Sequence, residues 1–429
     1  MALTKGKLTF GVIMGNRGFF PDHLVTSGRA ALLGALKTLG HTAVLLGEKD
    51  TNKGAVESYS DAMKCADLFN RHGDRIDGVI VSLPNFGDEK AVANTLKALK
   101  SRVPVLVHAE PDDISRMQMG QRRDSFCGKI SVCNNLMQYG IPFTNTTLHT
   151  EGIASDTGVQ DLRYFAAVCR VVKGLKQARF GAIGARTAPF NTVRYSEKIL
   201  EGHGISVETL DLSEVIGRAN RLPKGSNDLK AKIREITGYC DSRCVTKPAM
   251  DRMARFLLVV ENWIKDQGLD ATAIQCWTSL QENYGIVPCT VMSLMSNKGL
   301  PSACEVDITG TLSMYALQLA AGRPAAILDW NNNYGNDPDK TVLFHCSNIP
   351  VDMLNQARIG HQEIIADAVG KDNTYGPVFG RLKTGPFTFL RLTTDENTGG
   401  IRGYLGEGRL TDDPLDTFGG YGVAHIDEL

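Results

Sequence analysis

No run of about 18 apolar residues occurs anywhere in the 429-residue chain, so a membrane-spanning helix is not expected. An excess of either charge is also missing: 47 basic side chains face 47 acidic ones. That balance excludes the uniformly basic surface by which most nucleic-acid binders neutralise phosphates. The start lacks the pattern of a secretory signal, because Lys5 and Lys7 lead into a short apolar run, Leu8–Met14, and then into polar Gly15, Asn16 and Arg17. Neither glycine turn carries a full G-x-G-x-x-G pattern: Met14-Gly15-Asn16-Arg17-Gly18 and Phe180-Gly181-Ala182-Ile183-Gly184 are bare βα turns, and Asp211 falls too late to hold a ribose. No solenoid period, heptad or low-complexity tract is visible either. Aromatic residues are sparse at 7%, with 3 Trp.

What is present is a folded composition, 42% apolar and 22% charged, and a length too great for one ordinary core. The 10 Cys lie scattered from Cys65 to Cys346, often within apolar runs, as reduced cysteines of a cytoplasmic protein do. Cys240 and Cys244 have no matching second pair, which makes a zinc site there a weak reading.

Short apolar runs at Leu8–Met14, Thr42–Leu46, Gly78–Ser82 and Val103–Val107 alternate with helical stretches. In the first of these helices Leu24, Gly28, Leu32, Ala35 and Leu39 share a face, Asp22 stands where a cap is needed and Gly40 ends it. A second α/β unit is expected from Phe180–Ile183, Val207–Leu212 and the run Thr272–Trp277. After residue 310 short β-rich segments separated by Gly, Asn and Asp imply a mostly antiparallel sheet. The chain therefore reads as α/β: two tandem parallel-sheet domains over 1–160 and 161–310, followed by a β-rich domain over 311–429.

Polar groups are densest between Gln275 and Asn348, each following a short apolar run: Cys276-Trp277, Gln281-Glu282-Asn283-Tyr284, Cys304-Glu305-Val306-Asp307, Asp329-Trp330-Asn331-Asn332-Asn333-Tyr334-Gly335 and Phe344-His345-Cys346. Ligands gather at the carboxyl ends of strands in open α/β sheets, so these groups are aimed at one region. With Glu305 and Asp307 on one face of a strand and Glu282 beyond another, several oxygens can converge on a hard or borderline ion such as Mn²⁺ or Mg²⁺. Such an ion polarises a carbonyl and a neighbouring hydroxyl, and a Glu can carry the proton between the two carbons. The bland readings are a solvated loop Glu, an Asx turn at Asp329–Asn333 and a hydrogen-bonded core histidine at His345.

The segments Ala303-Cys304-Glu305-Val306-Asp307-Ile308-Thr309-Gly310, Leu328–Gly335 and Leu343–Asn348 resemble the L-fucose isomerase and L-arabinose isomerase superfamily, above all its shorter fucose-isomerase-like members. The resemblance runs through nearly the whole chain. It implies an aldose-ketose isomerase working through an ene-diol, with Glu282 and Glu305 as both catalytic residues and ligands of Mn²⁺ (or Mg²⁺ or Co²⁺). It implies substrate contacts from Trp277, Asp329, Asn332 and His345, and a homo-oligomer in which Arg17 reaches a neighbour's pocket. The family's late His has no match here, His425 being poorly placed for it. Arg186, with Arg194, can give an anionic sugar a bidentate partner, so sulfoquinovose competes with fucose or arabinose as substrate. A non-catalytic sugar-binding protein and a dinucleotide-dependent oxidoreductase are the readings of other classes.

Overall fold

The computed structural model describes residues 6–427 and 429. The chain divides into two compact units, Thr4–Lys173 and Gly174–Leu429. The boundary lies near the end of the helix Asp156–Leu175, which runs straight through residue 160, where the sequence placed a division. The segments 161–310 and 311–429 keep separate sheets but share the second unit from Gly174 onward.

The first unit is a five-stranded sheet of β1 (Thr9–Met14), β2 (Thr42–Val44), β3 (Gly78–Leu83), β4 (Val105–Ala109) and β5 (Thr144–Asn145). The order is β2-β1-β3-β4-β5 and every neighbour is parallel. All six residues of β3 are buried, which explains why it reads as a continuous apolar run instead of an alternating one. Two clusters, one around Val79, Val81 and Val107 and one around Val12, Ile80 and Leu106, cover the two faces. Gly78 lets the helix Asp156–Leu175 approach β3: a Cβ there would lie 2.5 Å from the Cys169 sulfur. The helix His23–Thr38 ends at Gly40 with φ +79, as expected, but Asp22 does not cap it. Its carboxylate accepts instead from the side-chain amides of Asn16 and Asn52. The amides of the first turn are likewise spent on the fold, Gly15 N–H on Ser82 and Asn16 N–H on Val56.

The second unit begins with a four-stranded parallel sheet of β6 (Arg179–Ile183), β7 (Ser206–Leu210), β8 (Ala271–Ile274) and β9 (Ser302–Cys304), in the order β7-β6-β8-β9. Its largest support is the helix Lys247–Gln267. Thr246 caps it, Pro248 fits its first turn, and Gly268 closes it in the left-handed region. Met253, Phe256, Leu257, Val260 and Ile264 fall on one face and are buried, each contributing about 1.5–3 kcal/mol by leaving water.

A seven-stranded, mostly antiparallel sheet follows: β10 (Asp329–Tyr334), β11 (Asp337–His345), β12 (Leu354–His361), β13 (Tyr375–Leu382), β14 (Gly385–Asp395), β15 (Gly400–Thr411) and β16 (Gly420–His425). The path is β10-β11-β16-β13-β12, with the β14–β15 hairpin joined through β15 to β16. The fold class expected from the sequence, two parallel-sheet α/β regions and then a β-rich one, is the one observed. The polar Asp329–Tyr334 is a strand, not a turn: it pairs with β11 across a bulge between Trp330 and Asn332, and all but Tyr334 of its residues are exposed. Glycine-rich Gly419-Gly420-Tyr421-Gly422 opens β16 in the middle of the sheet, where small residues admit Ile349, Leu382 and Leu410. No helix among the described residues is long and apolar enough to cross a membrane.

Candidate active site

The carboxyl ends of β8 and β9 lie side by side, Ile274 being paired with Cys304. β8 stops at Ile274, earlier than the sequence implied, which puts Gln275, Cys276 and Trp277 in the loop beyond it. β9 stops at Cys304, and the alternation that would have set Glu305 and Asp307 on one strand face is broken there. Glu305 and Val306 both take left-handed backbone, with φ +61 and +55. For non-glycine residues, and a β-branched one above all, this costs about 1–3 kcal/mol per residue and persists only where the surroundings enforce it. The two side chains consequently part: Val306 enters the core, whereas Glu305 faces the loop after β8.

Asp307 is not a ligand. Its Oδ1 accepts from Gly310 N–H at 2.8 Å and caps the helix Ile308–Ala321, while the Arg391 guanidinium bridges both its oxygens at 2.5 and 3.2 Å. Arg391 also reaches Thr309 Oγ1, so this buried carboxylate locks β14 to the turn that carries Glu305.

Around Glu305 stand Trp277, whose indole N–H donates to its Oε1 at 3.4 Å, and the thiols of Cys276 and Cys304. His345 ends β11 with its Nε2 3.0 Å from the Cys304 sulfur and its Nδ1 3.8 Å from that of Cys346. Burial pushes the Glu305 carboxyl up to about 7; His345 opposes that rise, Cys346 adds to it, the Trp277 hydrogen bond opposes it and Asp329 adds to it. Burial alone would lower His345, but the Cys346 sulfur, with Asp329 and Glu305, carries it to about 9. Cys346 itself is held well below an ordinary thiol by a hydrogen bond from Cys289 and by the His345 charge, whereas Cys276 and Cys304 are raised. Asp329, at the start of β10, is also raised, first by the protein crowding its carboxyl.

The remaining expected site residues are placed differently. Glu282 sits exposed on the short helix Ser279–Asn283 and takes no part in this cluster. Asn332 is exposed on β10, where its backbone carbonyl accepts from Thr341. His345 faces thiols and is only 4% exposed. Arg186 bonds the carbonyls of Thr187 and Ala188, and Arg194 that of Asn191, within one loop. In the first unit Arg17 is tied to Glu89 and the Gly87 carbonyl and lies 4.1 Å from the centre of the Phe86 ring. His425, on β16, lies 3.6 Å from Asp427.

A Mn²⁺ held by Glu282 and Glu305 requires the two carboxylates to converge. Among the described residues the metal-capable groups that converge are Cys276, Cys304 and Glu305, all within 4.8 Å of one another. Two sulfurs out of three donors do not fit a hard, oxygen-seeking ion. The sequence did flag Cys276 and Cys304 within its polar segments. It read them as buried core cysteines, and the signal that they are more is that both stand at the carboxyl ends of adjacent parallel strands, Cys304 as the last residue of β9 and Cys276 two residues beyond β8.

The dinucleotide reading meets an obstacle. Gly184, at φ +83, ends β6 against Gln275, whose side-chain carbonyl accepts the Ala185 N–H at 3.0 Å, so the amide that would face a phosphate is taken. Asp211 caps the helix Leu212–Arg221 through Ser213. Beside them an open crevice of about 450 Å³ lies over the ends of β6, β7 and β8, lined by Gly184, Ala185, Asp211, Gln275 and Ser279. The strand order reverses between β6 and β8, the position where such sheets bind ligands.

The structure is thus an α/β protein in which a parallel sheet carries a shielded carboxylate at its carboxyl edge, beside a histidine that ends a strand of the β-rich sheet. The model of the fucose/sulfoquinovose isomerase N-terminal domain matches residues 11–176, and that of the L-fucose isomerase C-terminal domain matches residues 343–429. The chain belongs to the fucose/sulfoquinovose isomerase family. It is similar to the sulfoquinovose isomerases of Priestia aryabhattai and Priestia megaterium, each 25% identical over 279 residues, or 64% of this chain and 60% of those proteins. It is also 25% identical to that of Alkalicoccus urumqiensis over 275 residues, 63% of this chain and 59% of that protein. The matched part thus spans about 60% of the length of these curated relatives.

Proposed function

We propose that the protein is an aldose-ketose isomerase in which Glu305 carries a proton between the two carbons that exchange carbonyl and hydroxyl. The observation that carries this reading is the Glu305 carboxylate itself, held on a left-handed turn at the end of β9 under the Trp277 N–H, in a chain whose residues 11–176 and 343–429 match isomerase-family domains. A proton carrier works best when its affinity for the proton lies near the working pH, and burial brings Glu305 to about 7. The ionised form removes the proton beside the carbonyl, giving an ene-diol; the same carboxyl returns it to the neighbouring carbon. His345 holds a positive charge beside Glu305 and stabilises its ionised form. Trp277 fixes the oxygen that faces the sugar, and Phe190, packed edge-on against the indole at 5.7 Å, fixes Trp277.

The relatives named as sulfoquinovose isomerases support a 6-sulfonated hexose as substrate, ahead of fucose or arabinose. Arg186 and Arg194 are the residues we assign to the sulfonate. Arg194 is exposed and Arg186 half-buried, and both bond carbonyls of their own loop, from which an anion can draw them. All 10 cysteines are free, which supports a reducing, cytoplasmic setting. Exposed Ile114, Met119, Ile130, Met137 and Leu148 in the first unit support a homo-oligomer. Incubating the protein with a panel of aldoses, neutral and 6-sulfonated, and following ketose by NMR tests the proposal. Turnover of the sulfonated sugar is expected, and no ketose from any of them would overturn it.

A further inference from the structure

The second unit holds an apolar cavity of about 370 Å³ that the acid-base chemistry does not use, since Glu305, Cys276 and Trp277 do not line it. The helix Ile308–Ala321 presents Met314, Leu317 and Ala321 to it at helical spacing, and residues 386–391 of β14 line it as well. Leu343 of β11, Leu382 of β13 and Leu410 of β15 add apolar surface from the sheet. Ala321, Ala325 and Ala326 keep the space open, where larger side chains would fill it. The volume falls within the range of about 300–1,000 Å³ of small-molecule sites, and a mostly apolar lining with a few polar groups is their usual make-up.

Aromatic rings in the lining pack on one another. Phe389 stands edge-on to Trp330 at 5.3 Å and lies 6.1 Å from both Phe387 and Tyr404. The Trp330 N–H donates to the Tyr404 hydroxyl at 3.1 Å, which fixes these two rings although they are 44% and 51% exposed. Rings so held take a flat aromatic body by stacking or edge contact. The charge in the lining has one sign: no lining residue is acidic, and the basic ones are Arg323 and Arg391. Arg391 is neutralised by the Asp307 carboxylate. Arg323, exposed just beyond the Gly322 that closes the helix, has no ion pair or side-chain hydrogen bond among the described residues.

We propose that this cavity binds an aromatic monoanion, its rings among Trp330, Phe387, Phe389 and Tyr404 and its carboxylate or sulfonate on the Arg323 guanidinium. The site does not depend on the isomerase reading, since none of the residues assigned to that reaction lines it.

The test titrates the full chain with 2-naphthoate by calorimetry, and with 2-naphthalenemethanol as its neutral counterpart. One equivalent of 2-naphthoate is expected to bind, more tightly than the alcohol. Arg323→Gln should weaken the anion about tenfold or more, a hydrogen bond to a charged group being lost, and leave the alcohol unchanged. Ala321→Trp, whose added ring occupies the cavity, should abolish binding of both. Exchanging Arg186 and Arg194 together for Ala should leave 2-naphthoate binding as in the wild type, which separates this site from the loop assigned to the sulfonate. Residues 321 and 323 are exposed. Should either variant fail to fold, NMR of the wild-type protein decides: nuclear Overhauser effects from naphthoate protons to the Trp330 and Phe389 rings support the site, and bound naphthoate without them overturns it. No binding by the wild-type protein, unchanged anion affinity in Arg323→Gln, or full binding by Ala321→Trp also overturns it.

Discussion

Replacing Glu305 by Gln should make the protein more stable at pH 8 and leave it nearly unchanged at pH 4. In the folded chain the Glu305 carboxyl titrates at about 7 against an ordinary 4.5, burial being the main cause. A raised acid binds its proton more tightly when folded than when unfolded. Below about 4.5 both states are protonated and no penalty exists; as pH rises through 4.5 to 7 the unfolded chain ionises first and stability falls. Above 7 the folded state carries a shielded negative charge at a cost of about 3 kcal/mol, using 1.36 kcal/mol for each tenfold change in proton affinity. Gln keeps the shape, still accepts from the Trp277 N–H, and removes the charge. Urea denaturation of both proteins in chelator, at pH 4, 6 and 8, reads the difference directly. An increasing gain for Glu305→Gln, reaching about 3 kcal/mol at pH 8, is expected. A gain independent of pH, or a loss at pH 8, would refute the claim that this carboxylate is held ionised at a cost.

The same groups set the expected pH profile of turnover: it rises as Glu305 ionises near 7 and falls as His345 loses its proton near 9, and Cys346→Ser should draw the alkaline limb to lower pH because the thiolate holds that proton in place. Arg391→Met leaves Asp307, whose side chain is 3% exposed, with only Gly310 N–H and Thr309 as partners; a loss of about 3 kcal/mol by chemical denaturation is expected, and a change under ~0.5 kcal/mol would show that the pair does not hold the turn. Exchanging Arg186 and Arg194 together for Ala should raise KM for a 6-sulfonated aldose about tenfold or more and spare neutral aldoses, a bond to a charged group being worth about 1.5–3 kcal/mol; an equal effect on both sugars would contradict the assignment.

The parallel sheets were legible because β3 and its neighbours are buried on both faces and read as unbroken apolar runs between helices with clear stops such as Gly40. β12 and β16 escaped, since Leu354–His361 carries exposed Asn355 and Gln356 and β16 opens on glycines that signal a turn. At the site, Glu305 stood out by its place after a strand, but its partners were set by backbone that no periodicity encodes. Two successive left-handed residues turn Asp307 away to cap a helix and direct Glu305 to Cys276 and Trp277. Glu282 has the right residue type at a strand-end loop, yet a five-residue helix holds it exposed. Chain spacing carries no information on which way such a short helix faces.

The account turns on Glu305 as the group that moves the proton. Isomerisation of a 6-sulfonated aldose in deuterium oxide, followed by NMR at the carbons that exchange carbonyl and hydroxyl, measures that step. The wild-type protein should place deuterium in the ketose, and Glu305→Gln, folded and at least as stable, should form product about 10²–10⁴ times more slowly. Deuterated ketose formed by Glu305→Gln at the wild-type rate would contradict it.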